Sequence, residues 1–115
     1  MHELGVVFHV IDSLNKLAKE QNISKITKVT LQIGEVSTVI PYQLEDCWNW
    51  ACKKEIVLKD CPLVIEQIKA VTRCNNCNKT YETVKYAKTC PYCSSEDTYL
   101  EKGNEFIIKE IEVKD

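Results

Sequence analysis

The chain has 115 residues, a formal net charge of −2 and an apolar fraction of 44%, which are ordinary values for a small globular protein. This length suits one domain, or one domain carrying a subdomain that is too short to build its own core. No apolar run is long enough to cross a bilayer and no cleavable basic leader is visible, so we expect a cytoplasmic protein. Seven cysteines without an export signal favour metal binding over a disulfide framework.

The first segment, residues 1–21, places apolar side chains at the spacing of an amphipathic helix. The predicted apolar stripe consists of Leu4, Val7, Phe8, Ile11, Leu14 and Ala18. His9 falls on the other side, and about 10 Å of helix would separate it from His2. The two imidazoles therefore cannot hold one ion, and we interpret His9 as a surface residue.

Residues 24–34 alternate apolar and polar side chains, which predicts a half-buried strand that ends at Gly34. Its predicted buried face is formed by Val29, Leu31 and Ile33, with Lys28, Thr30 and Gln32 on the other face. Pro41 then suits the first turn of a second helix. The apolar stripe of that helix is Leu44, Cys47, Trp48 and Ala51.

Two later segments, residues 63–70 and 106–113, repeat one apolar spacing of two, three and two residues. The apolar positions are Leu63, Ile65, Ile68 and Ala70 in the first segment, and Phe106, Ile108, Ile111 and Val113 in the second. A strand whose apolar face shifts midway needs a bulge or a strong twist. We therefore expect two neighbouring strands that bend together, with the cysteine-rich segment inserted between them.

Four cysteines form two Cys-x-x-Cys pairs that are separated by twelve residues: Cys74, Cys77, Cys90 and Cys93. Each pair can wrap around one side of an ion, and the intervening segment is long enough for a hairpin. Four thiolates favour a tetrahedral zinc ion with no open position for a substrate, so the spacing predicts a structural zinc site. The alternatives are two disulfides, which require an oxidising compartment, and four unconnected thiols. The other thiols, at Cys47, Cys52 and Cys61, lack a partner at ligand spacing, and we interpret them as packing residues.

Zinc ribbons often bind nucleic acid, but the charges of this segment argue against that function. Residues 69–102 contain six basic and four acidic side chains, and the negative charge of a zinc tetrathiolate cancels the difference. A phosphate-binding surface normally has a net basic face with aromatic side chains between the charges. We therefore expect no nucleic-acid partner.

The chain begins Met1-His2-Glu3-Leu4, and the bulky second residue predicts that Met1 is retained. A free α-amine then stands beside the imidazole of His2. Nickel(II) or copper(II) can take the amine, the imidazole and deprotonated backbone amide nitrogens in a square plane. The alternative is a histidine at the start of a helix with no ligand role.

Taken together, these features resemble the HypA/HybF family of hydrogenase nickel-incorporation accessory proteins over the whole length of the chain. The matching pieces are Met1-His2-Glu3-Leu4, Ile33-Gly34-Glu35-Val36-Ser37 followed by Pro41, the two cysteine pairs, and Gly103-Asn104-Glu105-Phe106 to Glu112-Val113. Each piece is modest by itself, and their order and spacing together are highly specific.

The resemblance implies a nickel metallochaperone, not an enzyme, that delivers Ni(II) to maturing [NiFe]-hydrogenase. Its implied partners are the GTPase of the same pathway and the hydrogenase large subunit. It implies that nickel is bound by the α-amine of Met1, the imidazole of His2 and the backbone amides of His2 and Glu3. It also implies structural zinc on the four cysteines of the two pairs.

The implied fold is α+β, with two helices packed on a small three-stranded sheet and an inserted zinc-ribbon subdomain built on the four cysteines. We expect a nickel-binding domain from residues 1–70 and 104–115, and a zinc-binding ribbon from residues 71–103. Homodimers occur among such proteins, sometimes by exchange of elements. The alternatives are nickel delivery to urease, with urease maturation proteins as partners, and a zinc-ribbon interaction or nucleic-acid-binding module without a nickel role.

Three positions depart from the expected pattern. Residue 5 is glycine where the family usually has serine, which weakens the first helical turn. Asn78 and Ser94 follow the two cysteine pairs, where ribbons favour glycine. Asparagine tolerates left-handed backbone better than serine, so we expect slight strain in the second cysteine turn.

Overall fold

The computed structural model describes residues 3–114. The elements in chain order are α1 (Glu3–Gln21), β1 (Lys25–Gly34), α2 (Pro41–Cys52), β2 (Leu63–Ile68), β3 (Val71–Cys74), β4 (Thr80–Glu82), α3 (Thr83–Tyr86), β5 (Thr98–Lys102) and β6 (Phe106–Lys114). The strands form two three-stranded sheets, in the orders β2-β1-β6 and β4-β3-β5. This arrangement is the predicted α+β architecture, with two long helices and a cysteine-bearing subdomain. No helix within residues 3–114 is long and apolar enough to cross a membrane.

The fold divides into two compact units. The helical unit consists of Met1–Leu31, Thr38–Glu66 and Ile107–Asp115. The ribbon unit consists of Gln32–Ser37 and Gln67–Phe106.

Helix α1 buries one apolar stripe, but not the whole stripe that its sequence predicts. The buried apolar side chains are Val7, Val10, Ile11, Leu14 and Ala18. The side chains of Leu4 and Phe8 are 37% and 49% exposed, so their predicted place on the buried face is wrong. At about 100° per residue, both lie at one edge of the stripe, whose middle is occupied by Val7 and Leu14. His9 is exposed, as predicted.

Strand β1 lies in the middle of its sheet, between β2 and β6. The prediction that the strands formed by residues 63–70 and 106–113 are neighbours is therefore wrong, because identical apolar spacing does not determine which strands pair. The middle position also increases burial: Thr30 is only 2% exposed, although the alternation placed it on the polar face.

Helix α2 is anchored by a fully buried tryptophan. Trp48 is 0% exposed, and its Nε1–H donates a 2.7 Å hydrogen bond to the backbone carbonyl of Cys61. Leu44 and Ala51 are buried beside it, as their spacing predicts. Cys47 is only partly buried, which leaves one side of this helix accessible.

The ribbon unit begins at a junction in which three chain segments exchange backbone hydrogen bonds; we call it the ribbon root. The amide of Glu35 donates to the carbonyl of Ile68 at 2.8 Å, and the amide of Val36 donates to the carbonyl of Gly103 at 2.9 Å. The amide of Gly34 donates to the carbonyl of Glu105 at 2.8 Å. The root therefore joins the end of β1 to both ends of the chain segment that carries the cysteines.

Two carboxylates complete the ribbon root. Oε1 of Glu35 accepts a 2.9 Å hydrogen bond from the amide of Ala70, and Oε1 of Glu105 accepts a 2.8 Å hydrogen bond from the amide of Gly103. Each carboxylate satisfies a backbone N–H group that would otherwise lack a partner next to a tight turn. The root segments thus have a structural role that their sequence does not reveal.

Candidate metal centre

The two Cys-x-x-Cys pairs meet in the ribbon unit. Their four sulfur atoms all lie within 4.8 Å of one another, one each from Cys74, Cys77, Cys90 and Cys93. The sulfur atoms of Cys74 and Cys93 are 3.6 Å apart, and those of Cys77 and Cys90 are also 3.6 Å apart. A zinc tetrathiolate with bonds of about 2.3 Å has sulfur–sulfur edges of about 3.8 Å. The cluster therefore fits one tetrahedral zinc ion, and the separations are far too long for disulfides.

Each cysteine pair lies on a tight turn of the same geometry. The amide of Asn78 donates to the carbonyl of Cys74 at 3.0 Å, and the amide of Ser94 donates to the carbonyl of Cys90 at 2.9 Å. Asn78 and Ser94 both have φ of 64°, in the left-handed region. The two non-glycine residues thus adopt the conformation that the sequence predicts for them, and serine carries the greater strain.

The sulfur of Cys93 has the most favourable surroundings for a thiolate. Nδ2 of Asn76 donates to it at 3.5 Å, and this hydrogen bond, together with one from the backbone of Ser95, lowers the pKa of Cys93 to about 6. The pKa of Cys77 is instead raised to about 11: the backbone of Lys79 lowers it, but burial and hydrogen bonds with the other three thiols outweigh that effect. Because thiolates are the metal ligands, zinc binding would displace the protons that the four thiols carry.

Beyond the cysteines, the ribbon unit has a very small core. The buried cluster consists of Cys74, Tyr81 and Cys90, with Cys77 and Cys93 packed against it. The hydroxyl of Tyr81 donates a 2.9 Å hydrogen bond to the carbonyl of Ala87, which has a left-handed φ of 53°. Because four of these five residues are the cysteines themselves, metal binding and core formation are the same event in this unit.

The remaining cysteines are separate from the cluster. Cys52 and Cys61 are buried in the helical unit, at 0% and 2% exposure, and Cys47 is partly buried. Burial is the main reason that the pKa of Cys52 is raised to about 12, and the negative charge that Cys61 or Glu55 would bring nearby acts in the same direction. Their burial agrees with the interpretation of Cys52 and Cys61 as packing thiols.

The raised pKa of Cys52 predicts a loss of stability in alkaline solution. From the ordinary value of 9.0 to about 12, the folded protein keeps a proton that the unfolded chain has lost. The free energy of unfolding therefore falls as pH rises through this window. The stabilisation contributed by Cys52 is fully present below the window. Urea unfolding at pH 8 and pH 10 should show a smaller decrease for Cys52→Ala than for the native chain. Equal decreases in the two proteins would contradict the prediction.

The predicted nickel ligands are at the start of the chain. Met1 and His2 lie outside the described residues. Glu3 is described: it is 9% exposed, and its Oε2 accepts a 3.2 Å hydrogen bond from the amide of Ile40. Ile40 is the N-cap of α2, so the Glu3 carboxylate holds the first turn of α1 against the start of α2. The sequence placed Glu3 at a helix start, but it did not reveal this second helix as its partner.

Residues 1–113 match the family described as "Hydrogenase/urease nickel incorporation, metallochaperone, hypA". The chain belongs to the HypA/HybF family. Its relatives include the hydrogenase maturation factor HypA of Chlorobaculum parvum, which is 31% identical over 99% of this chain and 100% of that protein. The HypA of Geobacter metallireducens is 32% identical with the same coverage. The hydrogenase maturation factor HybF of Morganella morganii is 30% identical over 97% of this chain and 98% of its own.

Solved structures agree with this assignment. The solution structure of the nickel metallochaperone HypA from Helicobacter pylori superimposes with a TM-score of 0.72 at 26% identity, covering 98% of this chain and 97% of that one. A second solution structure of a HypA protein gives a TM-score of 0.74 at 27% identity, with 99% and 97% coverage. The fold of these HypA structures therefore extends over nearly all of the chain.

Proposed function

We propose that this protein is a cytoplasmic carrier of Ni(II), not an enzyme, and that it delivers nickel for the maturation of [NiFe]-hydrogenase. The observation that carries the proposal is the family match over residues 1–113, which includes both the Met1-His2-Glu3 start and the cysteine ribbon. The proposed partners are the GTPase of the maturation pathway and the hydrogenase large subunit. A homodimer is a further proposal, for which the described chain gives no interface.

The proposed nickel ligands are the α-amine of Met1, the imidazole of His2 and the backbone amides of His2 and Glu3. Such a set favours square-planar Ni(II) and can be removed stepwise from the chain terminus. The hydrogen bond from Ile40 to the Glu3 carboxylate supports the proposal, because it fixes a residue whose backbone amide is one of the proposed ligands.

The proposed role of the cysteine cluster is structural. Zinc would be held by Cys74, Cys77, Cys90 and Cys93 within a ribbon of residues 71–103, while residues 1–70 and 104–115 form the nickel domain. Four thiolates fill the tetrahedral coordination of zinc and leave no position for an activated water or a transferred nickel ion. Zinc bound there stabilises the ribbon, and nickel passes through the other site.

The nickel site is tested by adding four glycines before Met1 and, separately, by His2→Ala. Four residues move the new terminal amine too far along the chain to share chelate rings with the imidazole, whereas a single added residue would create another square-planar amine, amide and imidazole site. Each change removes the amine or the imidazole from the chelate, so we expect nickel affinity to fall by about 100-fold or more. Isothermal titration with Ni(II) measures the affinity, and the square-planar absorption band reports the geometry. His9→Ala is the matched control and should bind nickel like the native chain.

Zinc content in the same samples separates the two sites. It should stay at one ion per chain in all three variants, because none of them alters a cysteine. Native nickel affinity in the extended chain, with the same absorption band, would rule out the terminal site. A stoichiometry independent of His2 would favour a zinc-ribbon interaction module instead. Delivery to urease is the remaining candidate, because the matching family description names urease as well as hydrogenase.

A further inference from the structure

An open groove lies between α1 and α2, close to the start of the chain. One cavity of about 270 Å³ is lined by Leu4, Asp46, Cys47 and Trp50. An adjoining cavity of about 360 Å³ shares Leu4, Asp46 and Cys47 and extends to Glu3 and Gln43. We call these two cavities together the terminal groove. All of its lining belongs to the helical unit.

The terminal groove has an apolar wall on each helix. On α2, Trp50 is 54% exposed, and Cys47 lies one turn before it. On α1, Leu4 lines the groove at 37% exposure, and Phe8, one turn further along and 49% exposed, lines the next cavity. Single exposed apolar residues are common on protein surfaces, but Leu4, Cys47 and Trp50 line one groove together, and such a cluster on facing helices is the kind of patch that binds a partner. Tryptophan is also the residue type most often found at the energetic centre of interfaces.

The charged side chains that line the two cavities have one sign. Asp46 and Glu3 line the terminal groove, and no lysine or arginine of residues 3–114 lines either cavity. The next cavity along α1, beside Phe8, adds the carboxylates of Asp12 and Glu55 and, within the same range, again no lysine or arginine. Asp12 has an exposed lysine 4.0 Å away, whereas Glu55 accepts a hydrogen bond from the neutral amide of Asn15, so negative charge dominates.

The ring of Trp50 already accepts a cation. Nζ of Lys54 lies 5.7 Å from the ring centroid, one turn beyond Trp50 and outside the groove lining. Such an exposed cation–π contact is weak, and a partner's arginine or lysine that is desolvated on the same ring would replace it. The terminal groove therefore combines apolar walls, acidic lining residues and an aromatic ring that can bind a positive charge.

We propose that the terminal groove is the docking site for a basic amphipathic segment of the protein that exchanges nickel with this chain, with apolar side chains between Leu4 and Trp50 and lysine or arginine beside Asp46. Helix-in-groove recognition uses this combination of apolar anchors and flanking charges. The identity of the partner as the nickel-exchanging protein rests on the proposed function, whereas the docking chemistry does not. Because Glu3 lines the groove, a docked segment reaches a residue whose backbone amide is a proposed nickel ligand.

The test measures binding of the purified maturation GTPase and the purified hydrogenase large subunit to the full-length, zinc-loaded chain by calorimetry. We expect Trp50→Ala and Asp46→Lys each to weaken the binding of at least one of these proteins by about tenfold or more. Affinity for the same protein should also fall as salt is raised, since the charges are complementary. Nickel affinity of both variants should stay native, because neither alters a proposed ligand.

Two matched controls separate groove effects from general surface effects. Glu45→Lys makes the same charge change on the neighbouring residue of α2, which lines neither cavity. Ile56→Ala removes an apolar side chain that is 87% exposed and also lies outside the groove lining. Both controls should bind within about twofold of the native chain.

Native affinity of both partner proteins for Trp50→Ala and Asp46→Lys would overturn the proposal. Equal weakening by Glu45→Lys and Asp46→Lys would also overturn it, because the effect would then be one of net charge. If ultracentrifugation shows that the native chain self-associates and Trp50→Ala does not, the occupant is a second copy and the proposed partner is wrong. Failure of the nickel-site test with partner binding still sensitive to Trp50 would leave the groove supported and the nickel role refuted.

Discussion

Replacing Gly34 with alanine is expected to destabilise the protein by about 3 kcal/mol or more. A Cβ at this position would lie 1.9 Å from the carbonyl oxygen of Gly103 and 2.4 Å from the amide nitrogen of Asn104. These are backbone atoms, so they cannot rotate away as a flexible side chain can. They are also held in place by the hydrogen bonds of the ribbon root, including the 2.8 Å bond from Gly34 to Glu105. Urea unfolding followed by circular dichroism and tryptophan fluorescence measures the loss.

Gly5→Ala is the matched control. A Cβ there would meet nothing within 4 Å, and residue 5 lies inside α1 with ordinary helical φ. Alanine should therefore stabilise the helix, by about 0.5–1 kcal/mol, because glycine loses more backbone entropy on folding. A Gly34→Ala variant within about 1 kcal/mol of the native chain would show that the ribbon root can open without cost, contrary to the close backbone contacts of Gly34.

The sequence predicts the metal cluster well because its geometry is local. Two residues between cysteines set each turn, and the left-handed backbone at Asn78 and Ser94 follows from the same turn. The segment between the pairs only has to return the second turn to the first. Few distant parts of the chain contribute, so spacing alone contains most of the information.

The sequence predicts the extent of the two long helices, but not how each of them is oriented toward the core. Their apolar periodicity places α1 and α2 correctly, yet it cannot distinguish a side chain in the core from one in a groove between two helices. Leu4 and Phe8 belong to the predicted stripe and are exposed, whereas Val10 lies outside that stripe and is buried. Which residues at the edge of an apolar stripe are buried depends on the neighbouring helix, and the apolar pattern of one helix contains no information about that neighbour.

The ribbon root was not predictable from local pattern. The motif containing Gly34 and Glu35 and the motif containing Gly103 and Glu105 are separated by more than sixty residues, and each is explained only by the other. The carboxylate of Glu35 binds the amide of Ala70, 35 residues away, and the carboxylate of Glu105 binds the amide of Gly103 within its own motif. The sequence also offered no indication that β1 separates β2 from β6, because strand order depends on tertiary packing.

Removing zinc is expected to unfold the ribbon unit while α1 and α2 keep their structure. The buried cluster of the ribbon consists of Tyr81, Cys74 and Cys90, and the partly buried Cys77 and Cys93 pack against it. Ordering one residue of backbone costs about 1–2 kcal/mol, so a single aromatic side chain cannot offset the ordering of the segment from Val71 to Lys102. Structural zinc contributes roughly 10–16 kcal/mol of apparent binding free energy near neutral pH, which is the scale required.

The helical unit has a different source of stability. Its buried side chains include Val7, Leu14, Leu44 and the fully buried Trp48, and none of them is a proposed metal ligand. Chelation should therefore abolish hydrogen-exchange protection of the amides in β3, β4 and β5 and leave the protection of α1 and α2 nearly unchanged. Two-dimensional nuclear magnetic resonance of the zinc-loaded and chelated protein resolves the two sets of amides.

Cys90→Ala should reproduce the effect of chelation, because three thiolates hold zinc far less firmly than four. Cys47→Ala is the matched control, since Cys47 is partly buried in the helical unit and outside the cluster. It should retain zinc and all ribbon protection. If the chelated chain instead keeps its β3–β5 amides protected, the ribbon root and Tyr81 suffice to fold the unit. The cysteine cluster would then be free to release its metal without unfolding, which is the property of a transfer site and not of a structural one.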